Sequence, residues 1–233
     1  MTGGNGDTPG ETPDDAQLDV FRVDAHAVNV RDLMARTVAD LYSHLVTRPT
    51  GRAVRLAIES QLEEMERPAL SLVDFSSVSI LDFSCADEVV AKLLLSLRDG
   101  GVGGNAWVLF QGIRDFHRDP IEAVLDRHRI QAVLQGSGGG AELLGPVHPM
   151  DLELWIRVEE AGRIARTDVT GGLLRSADDE ARLGQLLRNR LVFRHPLKGD
   201  ILALSALSRE LAPVSPPAVA PPSDATDSSG EPS

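Results

Sequence analysis

Apolar positions between residues 17 and 148 switch repeatedly between strand-like runs and a helical period. A strand is expected at 19–23, a helix at 29–39 and a strand at 41–48 (LYSHLVTR). After a turn at Pro49-Thr50-Gly51, residues 52–65 put Val54, Ile58, Leu62 and Met65 on one helical face. A strand at 70–75, a helix at 84–98 and an apolar strand at 106–113 (AWVLFQGI) follow. Asp119 reads as an N-cap with Pro120 at the first helical position, and Ile121, Val124, Leu125 and His128 form the inner face of the helix it opens. Residues 131–135 and 141–147 flank GSGGG and read as a hairpin. Strand–helix alternation with short connections implies an α/β layered sheet.

After Pro149 the period becomes helical. Residues 151–161 carry Leu154, Trp155 and Val158, and a short helix is expected near 167–174. Ser176 begins SADDEARLGQLLRNRL, with a capping-box pattern to Asp179 and with Leu183, Leu186 and Leu187 facing inward. LVFRHPLKGDILALS then reads as strand, turn at Gly199, and strand. The chain thus divides into a tail at 1–16, an α/β domain at 17–148, a small α+β domain at 149–211 and a tail at 212–233.

Composition changes this picture mainly at the ends. The formal net charge is −12. Four acids in 1–16 and three in 212–233, with no base in either, hold seven of those twelve charges. Both tails are rich in Gly, Pro, Ser, Thr and acid, cannot bury enough apolar area to offset chain entropy, and are expected to be disordered. Residues 151–211 balance ten acids with ten Lys and Arg, so the negative total does not exclude nucleic acid there. A single cysteine, Cys85, forbids an internal disulfide and fits a reducing compartment. No apolar run reaches the roughly 20 residues of a membrane span, and the acidic start is unlike a signal peptide. The cytoplasm, without membrane association, is the expectation.

Two family resemblances emerge. The segment SLVDFSSVSILDFSCADEVVAKLLLSL contains Val73-Asp74-Phe75-Ser76-Ser77-Val78 followed by Asp82-Phe83-Ser84-Cys85-Ala86-Asp87-Glu88. It resembles the STAS domain (sulfate transporter and anti-sigma factor antagonist), and more closely a STAS-like family of bacterial proteins with the elements DF-x-x-V and F-A-D-E. LVTRPTGRAVRLAIESQL fits the same family, and the resemblance covers residues 17–135. It implies a regulatory protein-interaction module without catalysis, paired with a switch ATPase or kinase. Residues 150–211 resemble a winged helix, which implies DNA binding, dimerisation or protein docking.

By the first resemblance, Ser84 is the candidate phospho-acceptor, and Asp82, Phe83, Ser84, Asp87 and Glu88 are the candidate partner-binding residues. From the residues alone, Ser84 is an N-cap with Asp87 completing an S-x-x-D box, a feature contributing about 1 kcal/mol. A phosphate there would suit the helix start but would meet the charges of Asp82, Asp87 and Glu88. The stretch departs from the antagonist pattern at Phe83 and Cys85. Candidate nucleic-acid contacts are Arg182, Gln185, Arg188, Asn189, Arg194 and Lys198, with Arg182, Gln185 and Asn189 expected on the outward face of the third helix. The acids Asp178, Asp179 and Glu180 open that helix and oppose phosphate.

Other motifs fail on context. Asp74 and Asp82 end apolar strands with no partner nucleophile, and Cys85 reads as a small buried residue. His117-Arg118-Asp119 lacks the asparagine and glycine-rich loop of a kinase. The two G-x-G-x-x-A matches, at 101–106 and 136–141, lack the strand before and helix after that a dinucleotide site needs. The six histidines show no metal-ligand spacing. Neither a metal nor a cofactor is expected. The chain is expected to be a non-enzymatic regulator that binds a protein partner, with a homodimer as a further partner expectation. The alternative is a DNA-binding transcriptional regulator with the STAS-like domain as sensor.

Overall fold

A computed structural model describes residues 23–29, 44–65, 67–101, 105–136 and 138–211. Both expected tails lie outside the described residues, as do most of the strand expected at 19–23 and of the helix expected at 29–39. The first described strand is β1 (Asp24–Asn29), which starts five residues after the start of the strand expected at 19–23 and takes in Asn29, expected to open a helix.

The centre is a mixed five-stranded sheet in the order β1-β3-β5-β6-β7. Its strands are β1, β3 (Ala69–Asp74), β5 (Ala106–Gln111), β6 (Ala132–Gln135) and β7 (Ala141–Leu144). The first four run parallel, and β7 returns antiparallel as the expected hairpin. A separate parallel pair joins β2 (His44–Leu45) to β4 (Ile80–Leu81).

Both β3 and β5 are nearly continuous apolar runs, and such strands need cover on both faces. Alternation along them divides the core in two. Val73, Val108, Phe110, Ala132 and Leu134 point to one face. Leu70, Trp107, Leu109 and Val133 point to the other.

The first face carries three helices. Helix α1 (Arg48–Glu63) buries Val54, Ile58 and Leu62 as expected. It begins four residues before the expected start because Thr47 caps it and Pro49 sits in its first turn, where a missing N–H costs nothing. Of the strand expected at 41–48, residues 41–43 lie outside the described residues, His44–Leu45 are strand, and 46–48 lead into the helix.

Helix α2 runs through Phe83–Ala86, Asp87–Lys92 and Leu93–Arg98, with the middle stretch wound as a π-helix. Residues 85–91 are all buried, because α1 and α3 flank α2 while the sheet lies beneath it.

Helix α3 (Asp115–His128) starts five residues earlier than the proline suggested. The Arg114 N–H donates to His117 Nδ1 at 3.2 Å and the His117 N–H donates to the Arg114 carbonyl at 2.8 Å, which closes the first turn upstream. Pro120 therefore lies inside the helix and gives up one helical hydrogen bond.

The second face is covered from the C-terminal side. Helix α4 (Pro149–Ala161), α5 (Arg166–Asp168 continuing as the π-helical Val169–Leu173) and α6 (Ala177–Arg188) appear close to where the pattern placed them. Strands β8 (Arg163–Ile164), β9 (Val192–Arg194) and β10 (Ile201–Ala203) form an antiparallel sheet in the order β8-β10-β9. The chain then turns into α7 (Leu204–Leu211), whose first two residues the pattern indicated as the end of a strand.

Helix α7 reaches β1, β3 and β5, and one buried cluster contains Leu70, Trp107, Trp155, Phe193 and Leu204 together. Trp107 Nε1 donates to the Val192 carbonyl at 3.2 Å, and its ring meets Phe193 edge-on at 4.8 Å. Residues 149–211 thus share their core with the central sheet. Among the described residues no helix is long and apolar enough to cross a membrane.

Candidate functional site: the helix-start end of the sheet

Strands β3 and β5 are parallel and the helices that follow them return across the same face, so α1, α2 and α3 all begin at one end of the sheet. In open α/β sheets this is the end where ligands and partners are met. Several large apolar side chains are exposed there, among polar ones such as Ser76, Arg114 and Asp115. Phe83 is 58 % exposed, Phe116 50 % and Ile80 45 %, and Val46 is exposed just before α1.

The segment 74–84 that carries Ile80 and Phe83 is held from several sides. Asp74 Oδ1 accepts the Ser76 N–H at 2.7 Å. Arg114 donates to the Ser76 carbonyl, and His117 Nε2 bonds the Val78 carbonyl at 3.0 Å. Because His117 Nδ1 already accepts an N–H, Nε2 must be the protonated nitrogen. Burial, with Arg114 adding to it, lowers the His117 pKa and keeps the ring neutral. Gly112, at φ +69°, lies so close to Ser76 that a Cβ there would fall 2.4 Å from its backbone nitrogen.

Asp82, not Ser84, caps α2. Its Oδ1 accepts the Cys85 N–H at 2.8 Å, and Ser84 Oγ donates to both Asp82 oxygens at 3.0 and 3.1 Å. The aspartate two residues earlier reaches the Cys85 N–H and carries a full charge toward the positive helix end, which a serine hydroxyl cannot match. Ser84 is half-buried within the first turn. Cys85 is buried, donates Sγ–H to the Thr47 carbonyl at 2.9 Å, and has its thiol pushed up to about 12 by burial and then by Asp82.

Asp87 and Glu88 were grouped with Phe83 as partner contacts, but they are 5 % and 2 % exposed. They lie beneath the surface in an ionic network joining all three helices. Asp87 Oδ2 accepts from Arg48 at 2.8 Å and its Oδ1 faces His128 Nε2 at 2.6 Å. Glu88 accepts from Arg48 at 3.0 Å, from Arg55 at 3.4 Å and from Lys92. Arg55 also pairs with Glu59 at 2.7 Å. Burial opposes ionisation of both acids, yet Arg48 and His128 hold the Asp87 carboxyl down to about 2, and Lys92 with the two arginines holds Glu88 low.

The π-helical winding begins at Asp87. It brings two successive carboxylates into the crowded centre, where only close cations compensate the lost hydration. Gly51 makes the close approach possible, since a Cβ there would fall 2.9 Å from the Cys85 Cα.

The sequence contained half of this network as the i,i+4 pairs Arg55–Glu59 and Glu88–Lys92. The long-range partners Arg48 and His128 carried no local signal.

The candidate nucleic-acid residues do not share one free face. Arg182 is half-buried and paired with Asp151 at 2.9 Å. Arg188 donates to Gln185, Gln185 to Asn189, and Asn189 to Gln131 beside β6 at 3.1 Å. Arg190, in the left-handed region at φ 60°, stacks its guanidinium over Trp107 at 4.9 Å. The end of α6 expected to face outward is therefore turned partly onto the sheet. Arg194 and Lys198 are exposed at the β9–β10 turn, which His195 Nδ1 orders by accepting the Lys198 N–H at 3.0 Å.

No protein-family model matches the chain, and no curated protein has a matching sequence.

Proposed function

We propose that this chain is a non-enzymatic regulatory protein, a STAS-like α/β module that docks a protein partner through the end of the sheet where α1, α2 and α3 begin. The observation that carries this reading is the composition of that end. Phe83, Phe116 and Ile80 stay exposed, while the neighbouring acids Asp87 and Glu88 are neutralised internally. Exposed apolar side chains, two of them aromatic, over acids neutralised internally have the composition of an interface centre, with the charged Arg114 and Asp115 beside Phe116. The side chains an enzyme would draw on there are committed to structure. Asp74 and Asp82 accept backbone N–H groups, His117 is fixed in one tautomer between two backbone groups, and Cys85 is a buried high-pKa thiol.

The cytoplasm is the proposed location and a switch ATPase or kinase the partner class. Residues 149–211, in a winged-helix arrangement, supply a second docking or dimer surface. Ser84 is the proposed phospho-acceptor. Its hydroxyl lies on Asp82, so a phosphate would meet the capping charge and weaken the helix start, coupling modification to docking.

A photo-crosslinking residue at position 83, in the protein's native host, tests the docking reading against the same probe at Leu56, which is exposed elsewhere on α1. A discrete protein adduct at 83, absent at 56 and lost when Phe116→Asp is added, is expected. Equal adducts at both positions, or persistence with Phe116→Asp, would overturn it.

The DNA-binding reading is favoured only by Arg194 and Lys198, exposed and without an ion pair among the described residues. It requires salt-sensitive duplex binding by the full chain, lost on Arg194→Ala with Lys198→Ala.

A further inference from the structure

We propose that a cavity between α5, α6 and the β9–β10 turn binds a small amphipathic anion, an apolar body bearing one carboxylate or similar headgroup. The cavity has a volume of about 690 Å³, inside the roughly 300–1,000 Å³ occupied by small-molecule sites. Val169, Leu174, Leu183 and Leu187 give it an apolar wall. Gly184 lies on the same face of α6, and a Cβ there would meet only the tip of Arg188, at 3.3 Å. The missing side chain therefore enlarges the apolar space without being required for backbone packing. The Thr170 side chain and the π-helical turn of α5 border the same space, and such turns recur at binding sites.

The headgroup is assigned by the charges left over. The charged residues on the cavity are Arg166, Arg194 and Glu180. Neighbouring arginines are spent: Arg157 pairs with Asp179 at 3.4 Å, Arg163 with Glu210 at 2.8 Å, and Arg182 with Asp151 at 2.9 Å. Arg166 and Arg194 have no ion pair or side-chain hydrogen bond among the described residues.

Arg166 is also positioned. Its N–H donates to Asp200 Oδ1 at 3.1 Å, and its stem lies against Gly199, where a Cβ would fall 3.0 Å from Cδ. Two guanidiniums against one carboxylate, beside an apolar wall, favour an anion with an apolar body over a neutral or cationic one. This inference does not rest on the docking reading. It concerns the opposite half of the molecule and uses none of the residues at the helix-start end.

Calorimetric titration of the full chain with octanoate and with 8-anilinonaphthalene-1-sulfonate tests it, using an aliphatic and an aromatic probe. At least one of them is expected to saturate at one molecule per chain. Arg166→Gln with Arg194→Gln should weaken that binding at least about tenfold, the scale of a lost charge-assisted contact, and leave the melting temperature unchanged. Glu180→Gln should tighten it, and Gly184→Leu should block it by filling the space. Uncharged 1-octanol should bind at least about tenfold more weakly than octanoate. Failure of both probes to saturate, or undiminished binding by the double arginine variant, would overturn the proposal.

Discussion

Two charged regions of this molecule dispose of their charges in opposite ways. Between α1, α2 and α3, Asp87 and Glu88 are surrounded by Arg48, Arg55, Lys92 and His128, so the network closes on itself beneath exposed apolar side chains. Between α5, α6 and the β9–β10 turn, Asp151, Asp179 and Glu210 are taken by other arginines, and Arg166 and Arg194 have no ion pair among the described residues beside a cavity they share with Glu180. The lesson is that counting charges along a segment does not identify what it presents. The ADE stretch looks like an acidic docking face and is a structural clamp. Residues 181–199, with no acid of their own, look like a basic face, yet Arg182 is spent on Asp151, Arg188 on Gln185 and Arg190 on Trp107.

The largest expected difference comes from breaking the closed network. Glu88→Ala leaves the partly buried Arg55 with Glu59 alone and opens the buried centre of the network, and should cost about 3 kcal/mol of unfolding free energy, read by urea titration. Arg166→Gln, which breaks no pair, should change it by less than about 0.5 kcal/mol. A comparable loss in both variants would erase the distinction between the regions.

Gly51→Val should come next, at about 1–3 kcal/mol, because the added side chain must push α1 away from Cys85.

Acid should act on the closed network selectively. The folded-state pKa of Asp87, about 2, lies below its ordinary 3.8. Its contribution is therefore complete above about pH 5 and is lost as the pH falls through about 2. Glu88 is shifted in the same direction. Wild-type stability should drop over that interval, and the drop should be smaller in Asp87→Asn.

The smallest effect is on Cys85, whose burial and raised pKa predict no reaction with a thiol reagent in the native protein at pH 8 and full reaction once it is unfolded.

The sequence pattern carried most of the layered framework, because the deciding signals were local. The runs in β3 and β5, the GSGGG hairpin and the Ser176–Asp179 capping box each lie within a few residues and recur in the structure. Helix starts were less legible. Pro49 and Pro120 both sit inside helices, since Thr47 and the Arg114–His117 exchange closed the first turns earlier. The helix at Leu204–Leu211 went unread because the apolar run of β10 leads straight into it, so Leu204 and Ser205 read as strand and fewer than two turns of helical pattern remain before the tail.

At the candidate site Phe83 and Ser84 were named in advance, but the capping role of Asp82 and the burial of Asp87 and Glu88 were not. Burial depended on Arg48 and His128, some forty residues away on either side. Exposed Phe116 went unnoticed because a single aromatic in a polar turn has no periodic signature.

The central claim is that a protein partner is held through Phe83 and its apolar neighbours. Its most direct test is the affinity of the partner captured at position 83 for wild type, Phe83→Asp and Leu56→Asp. A drop of at least about a hundredfold for Phe83→Asp, as expected for a buried aromatic anchor, with no change for Leu56→Asp and equal melting temperatures, is the predicted result. Equal affinity of wild type and Phe83→Asp would contradict it.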